Sequence, residues 1–379
     1  MQLIFRVEGN QQAGLGHLMR CFALAQAAQE AHIEFTFVCT ESTQRFLQSR
    51  HQWQGNTALI PNGASIDDEI NIIQGLFAAK QGKDTINNKP VFLVLDGYQF
   101  DYDYQTKLKS ADLPFAYFDD INTFLANGQQ HLANIIINGA PSATELGYEQ
   151  NASTSLLLLG DAYQALRLEF LDLAPIPISE RHSMLISFGG ADAQNHSLHL
   201  LAALSALRVE IPVRVVTGAA YANTGELDAC IRQGRIESHD QAFDISMPVQ
   251  HVHDAQDMAD MMLHSKLAVC AAGGSQFELL HCYTPSFLLV VADNQYPATQ
   301  KASQQGWCEA VDWRKEPVTW DDYLALATQL SLAFDQDKAL EKSQQMAIEQ
   351  MQGRQAQGFG IHNILDACIA QAKFVANEQ

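Results

Sequence analysis

In the first half of the chain, apolar positions alternate between short continuous runs and segments with helical spacing. The runs predict strands at 3–7, 34–39, 91–96, near 114–118 and near 134–138, and the helical spacing predicts helices at 17–31, near 67–80 and near 103–110. Short apolar runs separated by amphipathic helices fit a parallel sheet wrapped by helices, whose strands are buried on both faces. Ligands of such sheets bind at the carboxyl ends of the strands. The alternation breaks around 168–181, where Pro175-Ile176-Pro177 imposes extended backbone and removes two amide donors, so the interdomain linker is placed there.

The pattern then restarts. A strand at 183–188 precedes a helical run from about 197 to 207, a strand near 212–217, a helix near 256–264, and strands at 267–271 and 287–291. Beyond Trp320 the spacing turns fully helical, over 323–334, 339–351 and 362–374. The expected domains are 1–170 and 176–360, with a last helix in 361–379 packing back on the first domain. The fold class is α/β, two Rossmann-like domains facing each other across a cleft.

Composition narrows the function. A chain of 379 residues exceeds one typical core, and 47% hydrophobic with 17% charged residues is ordinary for a soluble enzyme. The longest apolar runs, 156–159 and 287–292, are too short to cross a bilayer. The first residues enter a strand with no basic segment ahead of an apolar stretch, so no secretory leader is expected. Seven scattered cysteines without a Cys-x-x-Cys pair read as reduced thiols of a cytoplasmic protein. A net charge of −20 with no lysine–arginine cluster excludes a nucleic-acid partner, and no basic apolar patch points to a membrane. A small anionic substrate then depends on backbone donors and a few arginines. No cofactor is expected. His251-x-His253-Asp254 lacks a third metal ligand and reads as a strand end followed by a helix cap at Asp254.

The candidate chemistry lies at Ala13-Gly14-Leu15-Gly16-His17-Leu18-Met19-Arg20, directly after the first strand. A glycine turn at a helix start offers unpaired amides and a partial positive charge, so Gly14 and Gly16 form a candidate anion cradle. The same field disfavours a protonated imidazole, which leaves His17 able to accept a proton. A dinucleotide fingerprint is demoted because Met19 stands where its third glycine belongs. Arg20 shares a helical face with His17 and can reach a phosphate or pair with Glu8 or Asp96, the pair being the safer reading. Asp96 and Tyr98 end a strand, where they can contact a sugar, hold His17 or merely cap the loop.

In order along the chain stand Gly14-Leu15-Gly16-His17, Arg20-Cys21, Ser187-Phe188-Gly189-Gly190-Ala191-Asp192, Gly273-Gly274-Ser275 with Glu278, and Asn294-Gln295, together with Asp119-Asp120, Asn138 and Gly160. This series resembles the hydrolases of pseudaminic acid biosynthesis that cleave UDP-2,4-diacetamido-2,4,6-trideoxy-β-L-altropyranose. The resemblance implies a fold similar to the GT-B, MurG-like glycosyltransferases and a metal-independent, inverting cleavage of the anomeric C–O bond. It carries the catalytic histidine onto His17 and an Asp-His-Tyr segment onto Asp96-Gly97-Tyr98, where Gly97 departs from the pattern. A UDP-sugar is the implied small-molecule partner. Its diphosphate falls to Gly273, Gly274 and Ser275, its ribose to Glu278, with Asn294 and Gln295 at the nucleotide and Gly189 and Gly190 lining the cleft. Plainer readings stand beside these. Ser275 with Glu278 forms a capping box, and Asp192 or Asn195 caps the helix that follows. The competing functions are a GT-B glycosyltransferase using a UDP-sugar donor and a non-catalytic nucleotide-sugar binding module.

Overall fold

Two parallel sheets, each wrapped by helices, organise the chain, and the computed structural model describes residues 1–9, 14–80, 89–314, 317–355, 358 and 360–378. The chain folds as two compact units, Met1–Leu168 with Arg354–Gln379, and Glu169–Gly353. Ala13, which opens the glycine turn in the sequence, lies outside the described residues.

The first unit runs β1 (Gln2–Val7), α1 (Gly16–Glu30), β2 (Glu34–Cys39), α2 (Glu41–Gln48), β3 (Asn56–Leu59), α3 (Ile66–Lys80), β4 (Val91–Asp96), α4 (Tyr102–Ser110), β5 (Phe115–Phe118), α5 (Thr123–Ala126), β6 (Ile135–Asn138) and β7 (Leu156–Leu159). Its sheet has the order β3-β2-β1-β4-β5-β6-β7, all parallel. Central β1 and β4 are buried at every position, as near-continuous apolar strands covered on both faces must be. The edge strand β3, Asn56-Thr57-Ala58-Leu59, has no buried residue and carries little apolar signal.

The second unit runs β8 (Ser183–Ser187), α6 (His196–Ala206), β9 (Val213–Thr217), α7 (Thr224–Gln233), β10 (Arg235–Ser238), β11 (Gln241–Asp244), β12 (Val249–His253), α8 (Met258–Leu263), β13 (Ser265–Ala271), α9 (Ser275–His281), β14 (Ser286–Val290), α10 (Tyr296–Gln304), β15 (Cys308–Asp312), α11 (Trp320–Phe334) and α12 (Asp337–Gln355). Its main sheet has the order β12-β9-β8-β13-β14-β15. Strands β10 and β11 form a separate antiparallel hairpin turned by His239 and Asp240, both at positive φ. The final helix, α13 (Gly360–Glu378), belongs to the first unit and packs on α1. Wedged between the sheet and α13, α1 buries Leu18, Phe22 and Leu24 on different faces, which explains its weak amphipathic pattern.

Buried Arg181 fastens the start of the second unit. Its guanidinium donates to the carbonyls of Ile176, Ser265 and Cys282 and to Thr284 Oγ1, while burial pulls it down to about 10.

Candidate active site

In each sheet the chain winds first one way and then the other, so neighbouring strands part their loops at one point, the crevice where open α/β sheets bind ligands. In the first unit that point lies between β1 and β4; His17 stands in the first turn of α1, the helix that follows β1, and Asp96-Gly97-Tyr98 ends β4 and leaves it. Strand register fixes what meets there: Asp96 lies opposite Val7 on one side and Phe118 on the other, so Asp120 follows two residues beyond the same edge.

Fully buried Asp96 accepts from His17 Nδ1 at 2.7 Å. It also accepts from Arg20 Nε at 2.9 Å and Arg20 Nη2 at 2.7 Å. An ionised carboxylate only accepts, so Nδ1 carries the hydrogen and His17 Nε2 keeps its lone pair. Arg20 Nη1 donates to Asp120 Oδ1 at 2.5 Å, and Tyr98 Oη donates to Asp120 Oδ2 at 2.9 Å. The Tyr98 ring, 58% exposed, stands edge-on to His17 with centroids 4.8 Å apart. Burial opposes the charges of Arg20 and Asp120, yet their mutual attraction wins, raising the guanidinium and lowering the carboxyl.

The structure thus brings His17, Asp96, Tyr98 and Arg20 together, and Arg20 forms the expected ion pair. Its partner is Asp96, joined by Asp120. Glu8 is committed elsewhere: it accepts from Arg6 Nη1, Thr40 Oγ1 and Thr43 Oγ1. Helix α1 starts at Gly16 with Leu15 at the N-cap and no side-chain capping bond, which leaves Gly14 and Gly16 at the helix start. Gly97 has φ +143°, a conformation L side chains rarely adopt, so the histidine of the resembling motif would be strained on this backbone.

The loop after β5 is held from below. Asp119 accepts from the amides of Ile121 and Asn122, and its Oδ2 lies 3.6 Å from Nε2 of buried His131. Burial pushes Asp119 up to about 6 and His131 down to about 4. The raised carboxyl contributes stability that is full below its unfolded value and lost as pH rises through 6. The depressed imidazole contributes stability present above its unfolded value and lost as pH falls through 4, so the two oppose each other between about 4 and 6. Asp119→Asn is expected to unmask the histidine: the variant should lose about 2 kcal/mol between pH 6.5 and 4.5 relative to wild type in urea unfolding. Parallel pH profiles would refute this pairing.

In the second unit the strand order reverses between β8 and β13, and their loops carry Gly189-Gly190 and Gly273-Gly274-Ser275. Asp192 is the cap of α6, accepting from the amides of His196 at 2.8 Å and Ser197 at 2.9 Å. Asn195, at the N-cap position with φ 56°, makes no side-chain cap and accepts instead from Tyr221 Oη. The expected capping box at Ser275 and Glu278 does not form, because α9 starts at Ser275 itself with Gly274 at the N-cap and no side-chain capping bond. Burial, with the charge of Glu278 adding to it, raises the Cys270 thiol on β13. Gln276 Nε2 donates to the Ala272 and Gly273 carbonyls and pins that turn. Asn294 and Gln295 follow β14 in a short 3₁₀ turn, with Gln295 Oε1 accepting from the Val291 amide.

The helix cap expected at Asp254 is absent, His251 is more fully bonded than a bare strand end, and Gly218 carries no mark in the sequence pattern. Asp254 caps no helix: α8 begins at Met258 with Asp257 at its N-cap, while Asp254 turns at φ 55° and donates its amide to the Thr217 carbonyl. His251 lies within β12, with its ring bonded to Asp228 and Thr217. Gly218, just past β9, touches the glycine turn after β8: a Cβ there would lie 2.5 Å from Gly190 Cα, and Ala220 donates its amide to the Gly190 carbonyl. Among the described residues, no group of three or more histidine, cysteine, aspartate or glutamate side chains is disposed to hold a metal ion. Nor is any described helix long and apolar enough to cross a membrane.

No protein-family model matches the chain. A curated relative, the uncharacterized protein MJ1062 of Methanocaldococcus jannaschii, is 21% identical over 300 residues, covering 76% of this chain, which spans about half (55%) of that protein's length. Solved structures match along nearly the whole chain. MurG of Acinetobacter baumannii aligns with TM-score 0.55 at 14% identity, covering 97% of this chain and 99% of its own. A glycosyltransferase of Rickettsia africae aligns at 0.61 and 10% identity over 100% and 99%. Arabidopsis thaliana UGT89C1 complexed with UDP-L-rhamnose aligns at 0.60 and 11% identity over 98% of both chains. None of these three is named as a hydrolase. The chain therefore has the GT-B glycosyltransferase fold, built from two Rossmann-like α/β units.

Proposed function

We propose that this chain is a nucleotide-sugar enzyme that breaks the anomeric C–O bond of a UDP-sugar, with His17 as the base. The observation that carries the reading is the 2.7 Å bond from His17 Nδ1 to buried Asp96, which aims the basic lone pair of Nε2 away from the protein's own carboxylate. In the proposed step an incoming hydroxyl oxygen bonds to the anomeric carbon while its proton passes to Nε2. The bond from that carbon to the diphosphate breaks, and UDP leaves with the electron pair. A single displacement from the opposite face inverts the anomeric centre. Asp96 then stabilises the imidazolium. The second unit's turns at Gly189-Gly190 and Gly273-Gly274-Ser275, with Glu278, Asn294 and Gln295, supply the nucleotide seat.

Two incoming hydroxyls fit this chemistry. The fold neighbours are glycosyltransferases, which supports transfer to an acceptor alcohol. The resemblance of the ordered motifs to those of the UDP-2,4-diacetamido-2,4,6-trideoxy-sugar hydrolases supports water. NMR of UDP-sugars, these diacetamido sugars included, incubated with the pure protein separates them. Free sugar of inverted configuration, released without acceptor, assigns hydrolysis. Turnover only when an acceptor alcohol is added assigns transfer. Binding of UDP-sugars with no turnover under either condition overturns the proposal.

Gly218→Ala tests the nucleotide seat. Backbone atoms of Gly190 cannot yield as a side chain can, so the methyl should displace the turn after β8 and weaken UDP binding at least about tenfold by calorimetry. Unchanged affinity would remove Gly190 from the seat.

A further inference from the structure

We propose that Asp120 is a positioning residue for His17: its carboxylate takes up the charge of Arg20, which would otherwise weaken His17 as a base. The inference rests on the reading of His17 given above. Arg20 Nη2 stands 3.0 Å from His17 Nδ1, and since that nitrogen gives its hydrogen to Asp96, the approach sets a positive guanidinium against the donor side of the ring. Such a neighbour disfavours the imidazolium that forms when the base takes its proton. Asp96 cannot offset both cations alone, because two of its contacts are already made to Arg20. With the proton on His17 the cluster holds two cations, Arg20 and the imidazolium, against Asp96, and Asp120 makes the balance even.

Asp120 is placed for this from three sides. Arg20 Nη1 donates to one carboxylate oxygen and Tyr98 Oη to the other, while Asn138 Nδ2 donates to its backbone carbonyl at 3.1 Å. Among the described residues, the neighbouring thiol and phenol bring no compensating charge, and the Asp119 carboxylate has other partners. Burial raises the Cys21 thiol on α1 and the Tyr117 phenol on β5, so both stay neutral. Asp119 is turned to the Ile121 and Asn122 amides and to His131.

The test is substrate-free: imidazole NMR titration of His17 in wild type, Asp120→Asn, Asp120→Glu and Tyr98→Phe, with circular dichroism to confirm the fold. Asp120→Asn should move the His17 midpoint down by about 0.5–1 pH unit, a shift expected when one nearby countercharge is lost. Asp120→Glu should restore it, and Tyr98→Phe, which keeps the carboxylate, should leave it in place. If Asp120→Asn does not fold, Asp120→Ser removes the same charge and is read in the same way. A midpoint unmoved in a folded neutral variant overturns the inference, as does an equal shift in Tyr98→Phe. Because this readout needs no turnover, it can fail while His17 remains the base, and His17→Ala kinetics can fail while the titration holds.

Discussion

Replacing His17 with alanine is expected to lower kcat by about 10²–10⁴-fold while leaving the Kd for UDP within about twofold. The split follows from placement. The imidazole belongs to the first unit, whereas the proposed nucleotide seat lies on loops of the second, so its loss removes an interaction made in the transition state rather than in the ground state. Asp96→Asn should fall in the same direction, because an amide can present a donor to Nδ1 and turn the ring to the tautomer whose Nε2 carries the hydrogen. The measurement is steady-state kinetics on whichever UDP-sugar the NMR panel turns over, with UDP binding followed by calorimetry. A His17→Ala protein that keeps wild-type kcat would exclude this residue as the base, and with it the proposed mechanism.

The parts of this architecture legible in the sequence are those governed by burial. Strands such as Val91–Asp96 and Glu34–Cys39 fall where the apolar runs place them, because a strand covered on both faces admits few polar residues. Strands β3 and β15, by contrast, lie at sheet edges, and α7 and α10 bury few apolar residues, so their patterns are diluted by solvent-facing positions. The site divides along the same line. Glycine turns after apolar runs marked the crevices, since backbone geometry leaves a trace in residue type. Which partners a side chain takes does not: the sequence offered Arg20 Glu8 or Asp96, and strand register brings it Asp96 and, one strand further, Asp120. The Asp119-Asp120 pair at the end of Phe115-Ala116-Tyr117-Phe118 is the signal that would have located the second carboxylate, as it ends the strand next to β4. Gly218 could not be singled out, because its need arises from a close approach to Gly190, 28 positions earlier, that no local pattern encodes.

Arg6→Met is expected to destabilise the first unit by about 3–5 kcal/mol at pH 7, read as a lowered urea midpoint. Arg6 sits in central strand β1 among apolar neighbours and is 4% exposed, so its charge is tolerated only through its partners. It donates to Glu69 on α3 at 2.9 and 3.0 Å and to Glu8 at 2.7 Å, and these carboxylates outweigh the burial that opposes its charge. Methionine fills the space but leaves both acids behind. Glu8 keeps Thr40 and Thr43, whereas Glu69 keeps Tyr104, so the heavier penalty falls on Glu69. Adding Glu69→Gln should therefore recover most of the loss, and lowering the pH toward 5 should recover part of it by letting the stranded acid take a proton. A single variant as stable as wild type would mean that burying the ion pair costs as much as its attraction returns. In that case the link from α3 to the end of β1 would serve geometry alone.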